Sequence, residues 1–336
     1  MKISVICPVY NEEKYIGGCI ESLLKQDFSW NNSEILLVDG LSSDKTRQII
    51  GEYAEKYPFI KLLNNPHKIT PISLNIAIRA AKNDIIFRID AHTTYPPTYF
   101  SVLSKHLIDL KADNVGGICR TLPGGKGLIP ESIAKVMSSI FGMGNSYFRI
   151  GAKKIMEVDT VPFGCFRREV FDRIGLFDEE LIRNQDDEFN GRIIKNGGKI
   201  FLIPDVIIDY FARDKVSKLS KMFYQYGLFK PLVNKKLGTS ATVRQFFPLL
   251  FVLLLIVSLV FLTFKLPLYE FLLAGLGLYL ILAIAFAVKE GDNISQVLLL
   301  PVLYFVLHVS YGWGYIKGVF RFLILKKSGI NVEANR

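Results

Sequence analysis

Three stretches near the carboxyl end carry almost no charge, and they restrict the fold more than any other feature. Residues 246–264 contain no charged side chain, 266–288 carry only Glu270, and 294–316 hold no formal charge apart from a protonatable His308. A helix of ~20 residues crosses a bilayer core, and each run reaches that length. Hydrocarbon offers a backbone no water to bond, so runs of this kind are helices with their amides satisfied internally. The chain of 336 residues is therefore expected to divide. Residues 1–212 form a cytosolic domain, 213–245 a juxtamembrane or interfacial segment, 246–325 about three transmembrane helices, and 326–336 a tail.

Charge follows the same division. Residues 1–212 hold 26 basic and 26 acidic side chains, so the net charge of +10 lies elsewhere. Eight basic residues fall within 213–245 against one acid, Asp214. A basic segment directly before an apolar span fits cytoplasmic retention and attraction to anionic headgroups. That cause suffices, and nucleic acid is not an expected partner. No signal peptide is visible at Met1-Lys2, which favours a cytoplasmic first domain. Three crossings would then leave Arg321, Lys326 and Lys327 outside, against the positive-inside tendency. Either the first apolar run lies partly in the interface, a fourth crossing hides within 294–325, or those charges are tolerated. The four cysteines (Cys7, Cys19, Cys119, Cys165) form no C-x-x-C pair and read as buried thiols.

The first 90 residues alternate strand and helix signals. Strands are expected at 3–7, 34–38, 60–63 and 85–89, with helices at 12–26, 45–57 and 71–81 between them. This order gives a doubly wound, mostly parallel α/β sheet with crossover helices. Another helix is expected over 97–110, then an apolar run at 115–118. Residues 122–154, rich in Gly, Ser and Lys, read as a long loop. Helices at 168–174 and 186–195 and a strand at 199–203 complete the pattern.

Ligands of open α/β sheets bind at the carboxyl edge, so the residues that end the strands matter most. Asp90-Ala91-His92 follows the fourth strand. It is either a turn with a solvated imidazole, or a carboxylate and a nitrogen that share a divalent cation with substrate phosphates. An imidazole there shifts preference from Mg²⁺ toward Mn²⁺. Asp39 ends the second strand, as an acceptor for a nucleobase or ribose or as a plain Asp-Gly turn. Gln185-Asp186-Asp187-Glu188 opens a helix, where acids are stabilised by the helix dipole. One of them facing a cleft could instead take a proton from an attacking hydroxyl.

Four segments occur in a telling order. They are Pro8-Val9-Tyr10-Asn11-Glu12-Glu13, Val38-Asp39-Gly40 with Ser43-Asp44-Lys45-Thr46, Asp90-Ala91-His92, and Asn184-Gln185-Asp186-Asp187-Glu188 with Arg192. Together they resemble the inverting family 2 glycosyltransferases, which have a GT-A nucleotide-sugar-binding fold. With Tyr95-Pro96, Val115-Gly116-Gly117 and Val158-Asp159-Thr160-Val161 added, the resemblance narrows to the exopolysaccharide, succinoglycan-type membrane enzymes. It implies that Pro8, Tyr10, Glu12 and Asp39 cradle a nucleotide, taken as UDP. It places Asp90 at ribose and metal, His92 where the broader family has a second Asp, and Asp186 as general base. Phe163, Gly164, Cys165, Asp187 and Arg192 would lie on the acceptor side. A divalent metal, Mn²⁺ or Mg²⁺, is the implied cofactor.

The implied partners are a nucleotide-sugar donor, a lipid-linked (polyprenyl) saccharide acceptor and the lipids of a cell (inner or plasma) membrane. Processive synthases of the family carry Gln-x-x-Arg-Trp. Gln225-Tyr226-Gly227-Leu228-Phe229 has neither the Arg nor the Trp, which favours transfer of a single sugar. The competing readings are a processive polysaccharide synthase and a non-catalytic membrane-tethered nucleotide-sugar-binding scaffold.

Overall fold

The computed structural model describes residues 2–240 and 242–329; most of the expected 326–336 tail lies outside them. Its elements begin β1 (Ile3–Val9), α1 (Ile16–Leu24), β2 (Glu34–Asp39), α2 (Thr46–Lys56), β3 (Ile60–Asn64), α3 (Thr70–Ala80), β4 (Ile85–Arg88) and β5 (Thr93–Thr94). There follow α4 (Tyr99–Asp109), β6 (Asn114–Leu122), α5 (Leu128–Val136), α6 (Ile140–Met143), α7 (Tyr147–Ile150), β7 (Met156–Glu157) and β8 (Cys165–Arg167). Next are α8 (Arg168–Ile174), α9 (Gln185–Lys195), β9 (Ile200–Phe211) and α10 (Val216–Leu237). The chain ends in α11 (Phe246–Thr263), α12 (Tyr269–Glu290) and α13 (Ile294–Gly318), the last continued by a π-helical turn over Val319–Ile324.

Two compact units emerge among the described residues: one holds 2–120 and 151–210, the other 121–150, 211–240 and 242–329. In the first, the sheet runs β3-β2-β1-β4-β8-β6-β9-β5, with β7 paired to β9. Strands β3, β2, β1 and β4 are parallel neighbours, as the βαβ alternation requires. All six residues of β2 are buried, and so are six of the seven in β1. Strands covered on both faces are expected to be this apolar. Beyond β4 the pairing turns antiparallel, β8 lying against both β4 and β6. The strand order reverses at β1, which has β2 on one side and β4 on the other. The carboxyl ends of β1 and β4 therefore flank a switch-point crevice, where such sheets bind ligands.

In the second unit, α11, α12 and the continuous helix Ile294–Ile324 are long and apolar enough to cross a membrane. The last is one rod of 31 residues. At 1.5 Å per residue it extends about 46 Å, so it does not fold back within 294–325 to make a fourth crossing. The stretch 122–154, read as a long loop from its composition, instead contains α5, α6 and α7. The Phe141 ring sits among the rings of Phe247, Tyr279, Phe286, Tyr304 and His308, with centroids 5.0–6.2 Å away. Such contacts are absent from a reading of local composition. The basic segment folds as α10, a helix of 22 residues with an interior Pro231, lying along α13.

Candidate active site

The site is built on β4. Arg88 ends the strand, Asp90 follows two residues later, and His92 lies in the turn before β5. The backbone of Asp90 is held on both sides. Its amide donates to the Tyr95 hydroxyl at 2.9 Å, and its carbonyl accepts from the same hydroxyl at 3.3 Å and from Cys19 Sγ at 3.7 Å. Burial first and the Asp90 charge second push the Cys19 thiol up to about 12, so it is inert. All four cysteines are free and buried, as expected.

Asp90 Oδ1 accepts from Arg88 Nη2 at 3.2 Å. Asp186, in the first turn of α9, brings its Oδ2 within 4.0 Å of Arg88 Nη1. One guanidinium thus faces a carboxylate from the end of β4 and another from a distant helix start. Its side chain is 7% exposed, against 21% for Asp90 and 43% for Asp186. Burial alone would lower the Arg88 pKa, but the charges of Asp90 and Asp186 outweigh it and hold the pKa above its ordinary value. Its guanidinium also lies over the Phe163 ring, 5.6 Å from the centroid. Arg88 was missed in the sequence, although an arginine within an apolar strand is a signal: such a charge needs partners.

His92 Nδ1 lies 3.6 Å from Glu12 Oε1, and Glu12 is 1% exposed. A metal-ligating histidine commonly turns its other ring nitrogen to a carboxylate. Glu12 at Nδ1 would leave Nε2 as the ligating atom. Asp90 and His92 also fit a cation that takes its remaining ligands from phosphate and water. Among the described residues no group of three or more His, Cys, Asp or Glu side chains could enclose an ion unaided. The donor set suits a cation that arrives with a diphosphate.

The residues expected on the nucleotide side lie at the ends of β1 and β2 and in the two loops that follow, which are stitched together. Asn11 N donates to Ser42 Oγ at 2.8 Å, and Ser43 N to Asn11 Oδ1 at 2.9 Å. Lys45 N donates to Glu13 Oε2, and Glu13 N to Asp44 Oδ2. Asn11 adopts φ 54° to make this junction. Asp39 is fully buried, and its carboxylate accepts from Ser42 Oγ (2.5 Å), Ser42 N (3.0 Å) and Arg47 Nη1 (2.7 Å). Three donors on one carboxylate make it the organiser of this loop. Pro8 lies within β1 opposite Val38, and Tyr10 is 38% exposed, with Lys68 Nζ 5.9 Å from its ring centroid.

The expected acceptor-side residues do not gather in one place. Phe163, at φ 61°, borders the site through Arg88; Gly164 follows at φ 101°, where a Cβ would meet the Phe166 ring at 2.6 Å. Asp187 N donates to Asp186 Oδ1 at 3.0 Å. Cys165 is wholly buried in β8, opposite Phe87 and Val115. Arg192 is a clamp for α9. Its guanidinium donates to Glu188 at 2.6 and 2.9 Å and to the carbonyls of Ile174 (2.6 Å) and Leu176 (2.7 Å). Arg192→Ala removes the bidentate cation from the Glu188 carboxylate, which is 4% exposed, and costs about 3 kcal/mol in a denaturation measurement. Arg192→Lys recovers little of this, since an ammonium cannot reproduce the fork.

The profile described as glycosyl transferase family 2 matches residues 4–175. The chain belongs to that family. It is 32% identical over 332 residues to the dolichyl N-acetyl-alpha-D-glucosaminyl phosphate 3-beta-D-2,3-diacetamido-2,3-dideoxy-beta-D-glucuronosyltransferase of Methanococcus voltae, covering 95% of this chain and 97% of that protein. It is 29% identical over 247 residues to the succinoglycan biosynthesis protein ExoA of Rhizobium meliloti, covering 73% of this chain and 74% of ExoA. Among solved structures, the mannosyltransferase PcManGT of Pyrobaculum calidifontis, in complex with GDP-Man and Mn²⁺, superposes with a TM-score of 0.54 at 18% identity. That match covers 95% of this chain and 84% of the mannosyltransferase, and it supports a GT-A-like fold. This family 2 enzyme is thus a glycosyltransferase with three C-terminal helices able to span a membrane.

Proposed function

We propose that this glycosyltransferase moves one sugar from a nucleoside diphosphate sugar, taken as a UDP-sugar, to a saccharide carried on a polyprenyl lipid, inverting the anomeric carbon. The observation that carries the reading is the meeting of Asp90 and Asp186 at Arg88. It supports a donor diphosphate subsite beside a solvent-reachable carboxylate base. The acceptor class is supported by the Methanococcus relative, whose name specifies a dolichyl-linked aminosugar phosphate. The apolar helices support membrane residence, with the catalytic domain on the cytoplasmic face.

In this reaction an acceptor hydroxyl attacks C1 of the donor sugar. Asp186 takes the hydroxyl proton as the new C–O bond forms, and the bond from C1 to the diphosphate oxygen breaks with release of the nucleotide. Asp90 and His92 would hold a divalent cation, Mn²⁺ or Mg²⁺, whose chemistry is neutralisation of charge on the leaving diphosphate. Tyr10 and the loop organised by Asp39 receive the base and ribose, while Pro8 and Glu12 support that wall. Phe163, Gly164 and Asp187 border the acceptor.

A screen of nucleotide sugars against the full-length protein in lipid, with a polyprenyl-diphosphate saccharide as acceptor, tests this reading. The expected result is UDP release with the acceptor extended by one residue and the anomeric configuration inverted. A ladder of long products would establish the processive alternative. Binding of UDP-sugar without acceptor-dependent UDP release would establish the scaffold.

A further inference from the structure

The reaction as written leaves the buried cation of the site, Arg88, without a task. Arg88 differs from three partly buried arginines of the same unit. Arg192, Arg167 and Arg168 each spend Nε on a fixed acceptor at 2.6–3.0 Å. The Nε of Arg88 is buried and has no hydrogen-bond partner. Leaving a buried donor unpaired is costly, and folds rarely keep one without reason. Its terminal nitrogens instead reach two carboxylates of the crevice that come from different elements, Asp90 and Asp186.

We infer that Arg88 is the positioning residue of the general base, linking the occupancy of the diphosphate subsite at Asp90 to the placement of Asp186. The inference rests on the reading of Asp186 as base. With the subsite empty, Arg88 divides its charge between the carboxylates, bonded to Asp90 and at longer range to Asp186. Positive charge brought to Asp90 with the donor competes with the guanidinium for that carboxylate and repels it. Asp186 then becomes its main partner, and the base is drawn into place after the donor has bound.

This link predicts effects of opposite sign from one substitution. Arg88→Met removes a cation beside Asp90, so calorimetric binding of UDP with Mn²⁺ to the full-length protein tightens severalfold. The same variant removes the cation that draws Asp186 into place, and kcat falls by on the order of 10²-fold, the scale of a 1 Å misplacement. A merely structural role would weaken binding and turnover together, with a lower melting temperature. Arg88→Lys returns the charge without the fork, so binding reverts to the native value while kcat recovers only in part. In an Asp186→Asn background Arg88→Met costs little further, because residues acting through one another are not additive.

Unchanged or weaker UDP binding in Arg88→Met overturns the link, and so does a native kcat. If the losses of Arg88→Met and Asp186→Asn multiply, Arg88 does not act through Asp186, and the base assignment stands without it. Full activity of Asp186→Asn alone overturns the base assignment itself, and with it the positioning role.

Discussion

Asp186→Asn is expected to lower turnover by on the order of 10²–10⁴-fold, the usual share of a general base, while UDP affinity stays within about twofold of native. An amide has nearly the shape of the carboxylate but cannot accept a proton at neutral pH. Its oxygen can still receive the Asp187 amide, which donates to Asp186 Oδ1 at 3.0 Å, so the first turn of α9 keeps its geometry. With 43% of its side chain exposed, Asp186 contributes little to the core, and the variant should melt where the native protein does. Steady-state release of UDP in the presence of acceptor, set beside calorimetric binding of UDP alone, separates the two effects. A variant with native turnover would remove Asp186 from the chemistry, and the adjacent Asp187 would be the next carboxylate to replace.

What the sequence disclosed and what it withheld divide along physical lines. The parallel half of the sheet was legible because each strand is a short apolar run bounded by turn residues, and each crossover helix has its own periodicity. The antiparallel half was not. Strand β8 has three residues and β5 two, too few for any period, and they exist because neighbouring strands supply partners. The strand expected over 199–203 runs on through Pro204 to Phe211 as β9.

Candidate site residues show the same division. Those at strand ends or helix starts, Asp39, Asp90, His92 and Asp186, were visible from position alone. The partners that set their roles were not. Glu12 turns to His92, Ser42 and Arg47 engage Asp39, and Arg88 meets both Asp90 and Asp186. The Glu12–His92 and Arg88–Asp186 contacts join elements remote in sequence, while Ser42 and Arg47 reach Asp39 across one turn.

Among the apolar helices, the expected effect on folding is largest at Gly314. Helices α10 and α13 approach through glycines on both sides. A Cβ built on Gly314 would stand 2.2 Å from the Tyr224 carbonyl oxygen, one on Gly318 2.1 Å from that of Leu228, and one on Gly227 2.0 Å from that of Tyr311. Small residues four apart let helix backbones touch, and association in lipid depends on that packing. The obstacle in each case is main chain, so no neighbouring side chain can rotate away. Gly314→Ala is therefore expected to cost about 2 kcal/mol, within the range for overpacking, and Gly314→Leu more. Ser220→Ala removes the hydrogen bond at 2.8 Å between Ser220 and Ser310 across the same two helices without adding volume. Its cost should be about 1 kcal/mol. Thermal unfolding of the full-length protein in detergent ranks the three variants. The order native, Ser220→Ala, Gly314→Ala, Gly314→Leu supports backbone contact as the source of cohesion. A Gly314→Leu variant as stable as Ser220→Ala would mean that the helices separate without penalty.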